Sequence, residues 1–178
     1  MVKPLRVLIV EDSEADASLL LRELRKAEYS LVHRRVETAE EMASALNNHE
    51  WDIVLSDYIL PGFGGLAVIR MIRERGLDLP LIVVSGQIGE DTAAETMRAG
   101  ANDYIMKGNL KRLVPAIERE LAEALNRRQR REVEATLKAR EEELRISRQV
   151  DIIKDEFIGM VSHELKTPLT VIIGALRV

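Results

Sequence analysis

The sequence predicts an α/β fold, a five-stranded parallel sheet followed by a long α-helix or coiled coil. Two observations carry this reading. Short apolar runs alternate with segments of helical spacing through the first two thirds of the chain, and the composition changes near residue 115. Eight of the ten glycines precede that point, and residues 116–158 contain neither Gly nor Pro, so a long helix can form there.

The apolar runs are Leu5 to Val10, Leu31 to Val36, Ile53 to Leu55, Leu81 to Val84 and Tyr104 to Met106, each bounded by turn or cap residues. The segments between them carry helical spacing, as in Ala17, Leu20, Leu21, Leu24 and Ala27, or Leu66, Ile69 and Ile72. Such alternation implies right-handed crossovers and therefore parallel pairing. The first, third and fourth runs are almost wholly apolar, as buried central strands should be, whereas His33, Arg34 and Arg35 mark the second as an edge.

From Leu110 the spacing predicts one long helix. Leu113, Ile117, Leu121 and Leu125 share a stripe, and Val133, Leu137 and Leu144 follow at intervals of four and seven, which fits a narrow coiled-coil seam. Arg128, Arg140 and Ser147 interrupt that seam. A helix this charged buries little alone, so pairing with a second copy is expected. The organisation expected is one α/β domain over residues 4–122, a helical connector over 123–150 and a further helical segment over 151–178.

Composition excludes several function classes. The chain has 178 residues and a net charge of −4, with 15 Lys/Arg against 21 Asp/Glu in residues 1–125, so no general electrostatic attraction to nucleic acid or anionic membrane is expected. The basic run Arg127 to Arg131 reads as a solvated helix face. With no cysteine there is no disulfide framework, thiolate metal site or cysteine nucleophile. No apolar run approaches the roughly 20 residues that span a bilayer, and the first residues lead straight into a strand rather than a signal peptide. A cytoplasmic setting is expected.

In a parallel α/β sheet, ligands bind outside the carboxyl ends of the strands. The residues there are Glu11 and Asp12 after the first strand, Asp57 after the third, Ser85 at the end of the fourth and Lys107 at the end of the fifth. Three carboxylates brought together repel unless a cation sits among them, and hard oxygen ligands without His or Cys point to Mg2+. The cation, the Lys107 ammonium and the Ser85 hydroxyl would then surround a phosphoryl group, with a carboxylate as nucleophile. Asp57 is the best nucleophile because Pro61-Gly62 turns the loop after it and leaves the crevice open.

The segments Val7-Leu8-Ile9-Val10-Glu11-Asp12, Asp52-Ile53-Val54-Leu55-Ser56-Asp57 with Pro61-Gly62, Val84-Ser85-Gly86 and Ala99-Gly100-Ala101-Asn102-Asp103-Tyr104-Ile105-Met106-Lys107 resemble the receiver domain of two-component response regulators. The resemblance covers about residues 4–122. It implies a flavodoxin-like strand order of 2-1-3-4-5. It also implies that Asp57 is the phosphoacceptor, that Asp12 and Asp57 bind magnesium directly, that Glu11 acts through water and that the Ile59 carbonyl completes the ligands. Ser85 and Tyr104 match the family's switch pair, and Lys107 its phosphate-contacting lysine. One departure is Gly108, where the family usually has proline; glycine should keep the turn possible with its geometry less fixed.

Near the end of the chain, Ser162-His163-Glu164-Leu165-Lys166-Thr167-Pro168-Leu169 follows Phe157-Ile158-Gly159-Met160-Val161. At about 100° per residue, Phe157, Val161, Leu165, Leu169, Ile172 and Leu176 lie about 120° or more from His163, so this stripe can bury while His163 stays in water. Glu164 could take a proton from the imidazole, and Pro168 should loosen or bend the helix one turn later. The stretch resembles the phosphoacceptor motif of sensor histidine kinases. That resemblance implies phosphorylation of His163 from ATP with help from Glu164, and a part for Thr167 in the reverse reaction. No ATP-binding segment follows His163, so the expectation is a piece of a hybrid histidine kinase, with a histidine kinase or phosphotransfer protein as phosphodonor to Asp57. About 41 residues of straight helix between Ala122 and His163 would span roughly 60 Å, which disfavours direct transfer within one chain.

Two other functions are weighed. A phosphorylation-independent dimeric interaction module would leave output unchanged when Asp57 is replaced. A magnesium-dependent phosphohydrolase usually needs a second acid two residues after the nucleophile, where this chain has Ile59.

Overall fold

The computed structural model describes residues 3–27, 29–86 and 90–175, with side chains described as far as residue 164 apart from residue 90. The elements alternate as the spacing predicts: β1 (Lys3–Val10), α1 (Glu14–Lys26), β2 (Tyr29–Val36), α2 (Ala39–Asn48), β3 (Ile53–Asp57), α3 (Gly65–Glu74), β4 (Leu81–Ser85), α4 (Glu90–Ala99) and β5 (Asp103–Met106). A 3₁₀ turn (Lys107–Arg112) then leads into α5 (Leu113–Ala175). Leu110, where the spacing placed the start of the long helix, lies in that turn, which packs it against the core before the α-helix begins.

All strand pairs are parallel, in the order β2-β1-β3-β4-β5, so the strand bearing His33, Arg34 and Arg35 is an edge. Register decides what the sheet can do. Val10 lies opposite Ser56, Asp57 opposite Val84 and Ser85 opposite Met106, so the residues just beyond these positions emerge together at one end. Strand alternation sends Leu5, Val7 and Ile9 to one face, where they pack with Leu20 and Leu24 of α1 and Leu113 and Ile117 of α5. Leu8 and Val10 face the other side, with Met42 of α2 and Val68, Ile69 and Ile72 of α3.

Local chemistry fixes the helix starts. Ser13 caps α1 by accepting from the Asp16 amide at 3.2 Å, and Thr38 caps α2 in the same way through Glu41. After β3 the chain turns at Gly62, whose φ of 70° is left-handed. It then passes so close to itself that a Cβ at Gly65 would lie 2.9 Å from the Tyr58 Cα. Gly108 needs neither dispensation: it has no positive φ, and a Cβ there would meet nothing within 4 Å.

At the opposite end of the sheet, Asn102 joins four elements. Its Oδ1 accepts from the Leu81 amide at 3.0 Å and from Arg73 Nη2 at 2.8 Å, while its Nδ2 donates to Glu120 of α5 at 3.1 Å. Arg127 pairs with Asp78 at 3.0 Å.

The contacts divide the chain into two compact units, which meet between Arg127 and Arg128. In the second unit α5 runs through Pro168 to Ala175 without interruption, so the expected loosening there does not break the helix. Every described side chain from Arg128 to Glu164 is exposed, including Leu137, Leu144, Val150 and Phe157. Ion pairs such as Arg128–Glu132, Glu134–Lys138 and Glu142–Arg145 line its surface. The stripe expected to bury opposite His163 is open at Phe157 and Val161, and its members from Leu165 onward lie outside the described side chains. Among the described residues no helix is long and apolar enough to cross a membrane.

Replacing Asn102 with Ala leaves the Leu81 amide, the Arg73 guanidinium and the nearly buried Glu120 each short of a partner. The expected cost is about 2 kcal/mol or more, read as a lower urea midpoint by Trp51 fluorescence.

Candidate functional site

Glu11, Asp12, Asp57 and Lys107 come together where β1, β3 and β5 end. Each of the three acids offers a carboxylate oxygen within 4.8 Å of the other two, with Glu11 and Asp57 buried and Asp12 exposed. Lys107 binds two of them, its Nζ donating to Glu11 Oε2 at 2.9 Å and Asp57 Oδ2 at 2.8 Å. The other oxygens of those carboxylates take amides: Glu11 Oε1 accepts from Ser13 at 3.1 Å, and Asp57 Oδ1 from Ile59 at 3.2 Å. Ile59 thus reaches the site through its backbone, while the residue as a whole is 61% exposed.

Burial raises the Glu11 carboxyl above its ordinary range, against the pull of Lys107 and the Ser13 amide. For Lys107 burial acts downward, yet its hydrogen bonds to Asp16, Asp57 and Glu11 outweigh it and raise the ammonium. Lysine is therefore firmly charged, and the acids around it exceed its single charge. Such a surplus of oxygen ligands fits a hard divalent cation, with Glu11, Asp12 and Asp57 as the side chains that would hold it.

Ser85 is fully buried at the end of β4. Tyr104, on β5, has a buried hydroxyl that meets no partner at hydrogen-bond geometry among the described residues. Ser85 is nonetheless close enough to act on it: burial raises the phenol, the Ser85 hydroxyl opposes that rise and the Asp57 charge adds to it. Glu11, Asp12, Asp57 and Lys107 thus form one cluster, and Ser85 and Tyr104 lie on the adjoining strands β4 and β5. His163 and Glu164 are exposed on α5 in the second unit. The side chain of Thr167 lies outside the described set.

Two residues at the site escaped the sequence reading. Asp16 takes the third hydrogen bond from Lys107, at 2.5 Å. Its signal was the Ser13-x-x-Asp16 pattern, which marks a helix start and puts an acid on the first turn. Arg35, counted only as an edge-strand charge, donates through Nη1 to the carbonyls of Glu11 at 3.1 Å and Asp12 at 3.2 Å and pairs with Glu37. It holds the backbone of the acidic loop from the neighbouring strand, and no local pattern could have announced that.

Residues 7–118 match the response regulator receiver domain family. The chain belongs to that family. Residues 153–178 match the His Kinase A (phospho-acceptor) domain, so the receiver is followed by the start of a second two-component module. The receiver resembles the two-component response regulator PhoP of Pseudomonas aeruginosa, with 28% identity over 91% of this chain and 69% of that protein. The transcriptional regulatory protein PhoP of Escherichia coli is 35% identical over 58% of this chain, which spans only 45% of that protein. Among solved structures, the signal receiver domain of a signal transduction histidine kinase from Syntrophus aciditrophicus matches with a TM-score of 0.56 and 26% identity, over 66% of this chain and 90% of that one.

If the acidic surplus holds a divalent ion, added Mg2+ stabilises the folded chain by mass action. The unfolding midpoint of the native chain should rise with Mg2+, and that of Asp12→Asn should rise much less, as followed by thermal denaturation.

Proposed function

We propose that this protein is a phosphorylation switch in two-component signalling, in which Asp57 accepts a phosphoryl group and the receiver controls a histidine-kinase core through α5. The observation that carries this reading is the Lys107 ammonium bonded to Asp57 inside a cluster of carboxylates. A separate histidine kinase or phosphotransfer protein is the donor. An Asp57 carboxylate oxygen forms a bond to phosphorus as the bond from phosphorus to the donor's imidazole nitrogen breaks, and the electron pair stays with that nitrogen. With acetyl phosphate the phosphorus–oxygen bond breaks and acetate leaves.

Lys107 stabilises the charge that gathers on the transferring oxygens. A magnesium ion held by Glu11, Asp12, Asp57 and the Ile59 carbonyl would supply further charge neutralisation. The amides of Ser13 and Ile59 steady the outer oxygens of Glu11 and Asp57. Ser85 turns its hydroxyl to the new phosphoryl group, and Tyr104, partly buried on the neighbouring strand, reports that change to the surface of the receiver.

His163 is the second phosphoacceptor, taking its phosphoryl group from ATP on a kinase module, and Glu164 assists by handling the imidazole proton. The exposed apolar residues of α5 support a homodimer through that helix, since a lone helix gains only a few tenths of a kcal/mol from each surface ion pair and leaves Leu137, Leu144, Val150 and Phe157 in water.

Acetyl phosphate with Mg2+ should add the mass of one phosphoryl group to the native chain and none to Asp57→Asn, by intact-mass spectrometry; equal mass gain in both would refute the assignment. The helix makes its own prediction. Leu137→Glu with Leu144→Glu should convert a dimer to a monomer in sedimentation equilibrium, whereas a chain that is monomeric before substitution contradicts pairing.

A further inference from the structure

Asp16 stands in the first turn of α1, where its amide is held by the Ser13 hydroxyl at 3.2 Å. Its carboxylate, about a third exposed, turns onto Lys107. An ammonium has three hydrogens, and those of Lys107 have three acceptors: Glu11, Asp57 and Asp16. The three are not equivalent. Glu11 and Asp57 belong with Asp12 to the set whose oxygens crowd within 4.8 Å, so a divalent ion there competes for the same groups that Lys107 uses. Asp16 is outside that set.

We infer that Asp16 is a positioning residue for phosphorylation, the tether that keeps the Lys107 ammonium over Asp57 when Glu11 and Asp57 turn to a divalent ion and a phosphoryl oxygen. Lysine is a point charge on a flexible four-carbon stem, and its direction is set by what it is bonded to. With a cation and a phosphoryl group at the shared carboxylates, one N–H of Lys107 would donate its hydrogen bond to a phosphoryl oxygen instead, the ammonium keeping all three hydrogens. Asp16 is then the acceptor that still fixes the rest of the ammonium. It is suited to this because it stands on a capped helix and lies outside the set of acids that a divalent ion would share. This inference rests on the reading of Asp57 as the phosphoacceptor.

The test is a double-mutant cycle on the full chain. The initial rate of mass gain from acetyl phosphate and Mg2+ is compared for the native chain and Asp16→Asn, then for both on a Lys107→Met background. Asp16→Asn should slow the native chain about tenfold, as loss of one charge-assisted hydrogen bond implies. It should change the Lys107→Met chain less than about twofold, and Asp16→Glu should recover much of the rate. If the Lys107→Met chain gains too little mass, the cycle is read on Mg2+-dependent occupancy by beryllofluoride, using fluorine NMR. An unchanged rate, an equal fall on both backgrounds or a faster Asp16→Asn chain overturns the inference, the last because Asp16 would then act as a repulsive brake.

A second readout needs no phosphorylation. Peptide-resolved acylation of Lys107 by acetic anhydride should rise several-fold in Asp16→Asn, with Mg2+ as well as without it, and equal protection in both chains counts against the tether. If the native chain gains no mass, or gains it equally as Asp57→Asn, the phosphoacceptor reading fails, and the acylation comparison still decides whether Asp16 holds Lys107.

Discussion

A single ammonium, that of Lys107, is shared among carboxylates that would otherwise repel one another. Two unit charges 4.8 Å apart repel by about 3 kcal/mol at an effective dielectric near 20, and Glu11 and Asp57 feel this while nearly buried. Lys107 offsets part of the repulsion, and the rest makes the site a trap for a cation. The two buried carboxylates are kept there by something rigid: Glu11 by the end of β1 and the Ser13 amide, Asp57 by the end of β3 and the Ile59 amide. Arg35 reaches across from the edge strand to hold the carbonyls between them and α1. The charge is concentrated by the sheet register, because parallel strands in this order finish at the same end.

The second unit obeys a different constraint. From Arg128 to Glu164 the helix has no described side chain out of water, yet it carries apolar residues at close intervals. Its surface ion pairs are of the kind that help a helix form without giving it a core. The receiver, by contrast, has a core on each face of its sheet, and the first turns of α5 belong to that core through Leu113, Ala116 and Ile117. One helix thus contributes to a packed domain and then continues as a helix whose burial must come from elsewhere.

Much of the receiver was legible because buried parallel strands leave strong local marks. β1, β3 and β4 are nearly unbroken apolar runs, and the charges of β2 announce an edge. The strand-end acids and Lys107 were legible because topology alone sends strand ends to one place. Asp16 and Arg35 were not, since their partners lie 91 and 24 residues away and neither residue type is unusual where it stands. Gly108 was expected to matter for turn geometry, yet its conformation is open to other residues. On α5 the apolar stripe was legible, but whether one chain could cover it was a question of tertiary contacts that no spacing answers.

The most direct examination of the central claim is a crystal structure of the chain grown with Mn2+, using anomalous scattering to find the ion. The account predicts one strong peak among Glu11, Asp12 and Asp57, with Lys107 still within hydrogen-bond reach of Asp57. A peak elsewhere with that cluster empty, or Lys107 directed away into solvent, would contradict it.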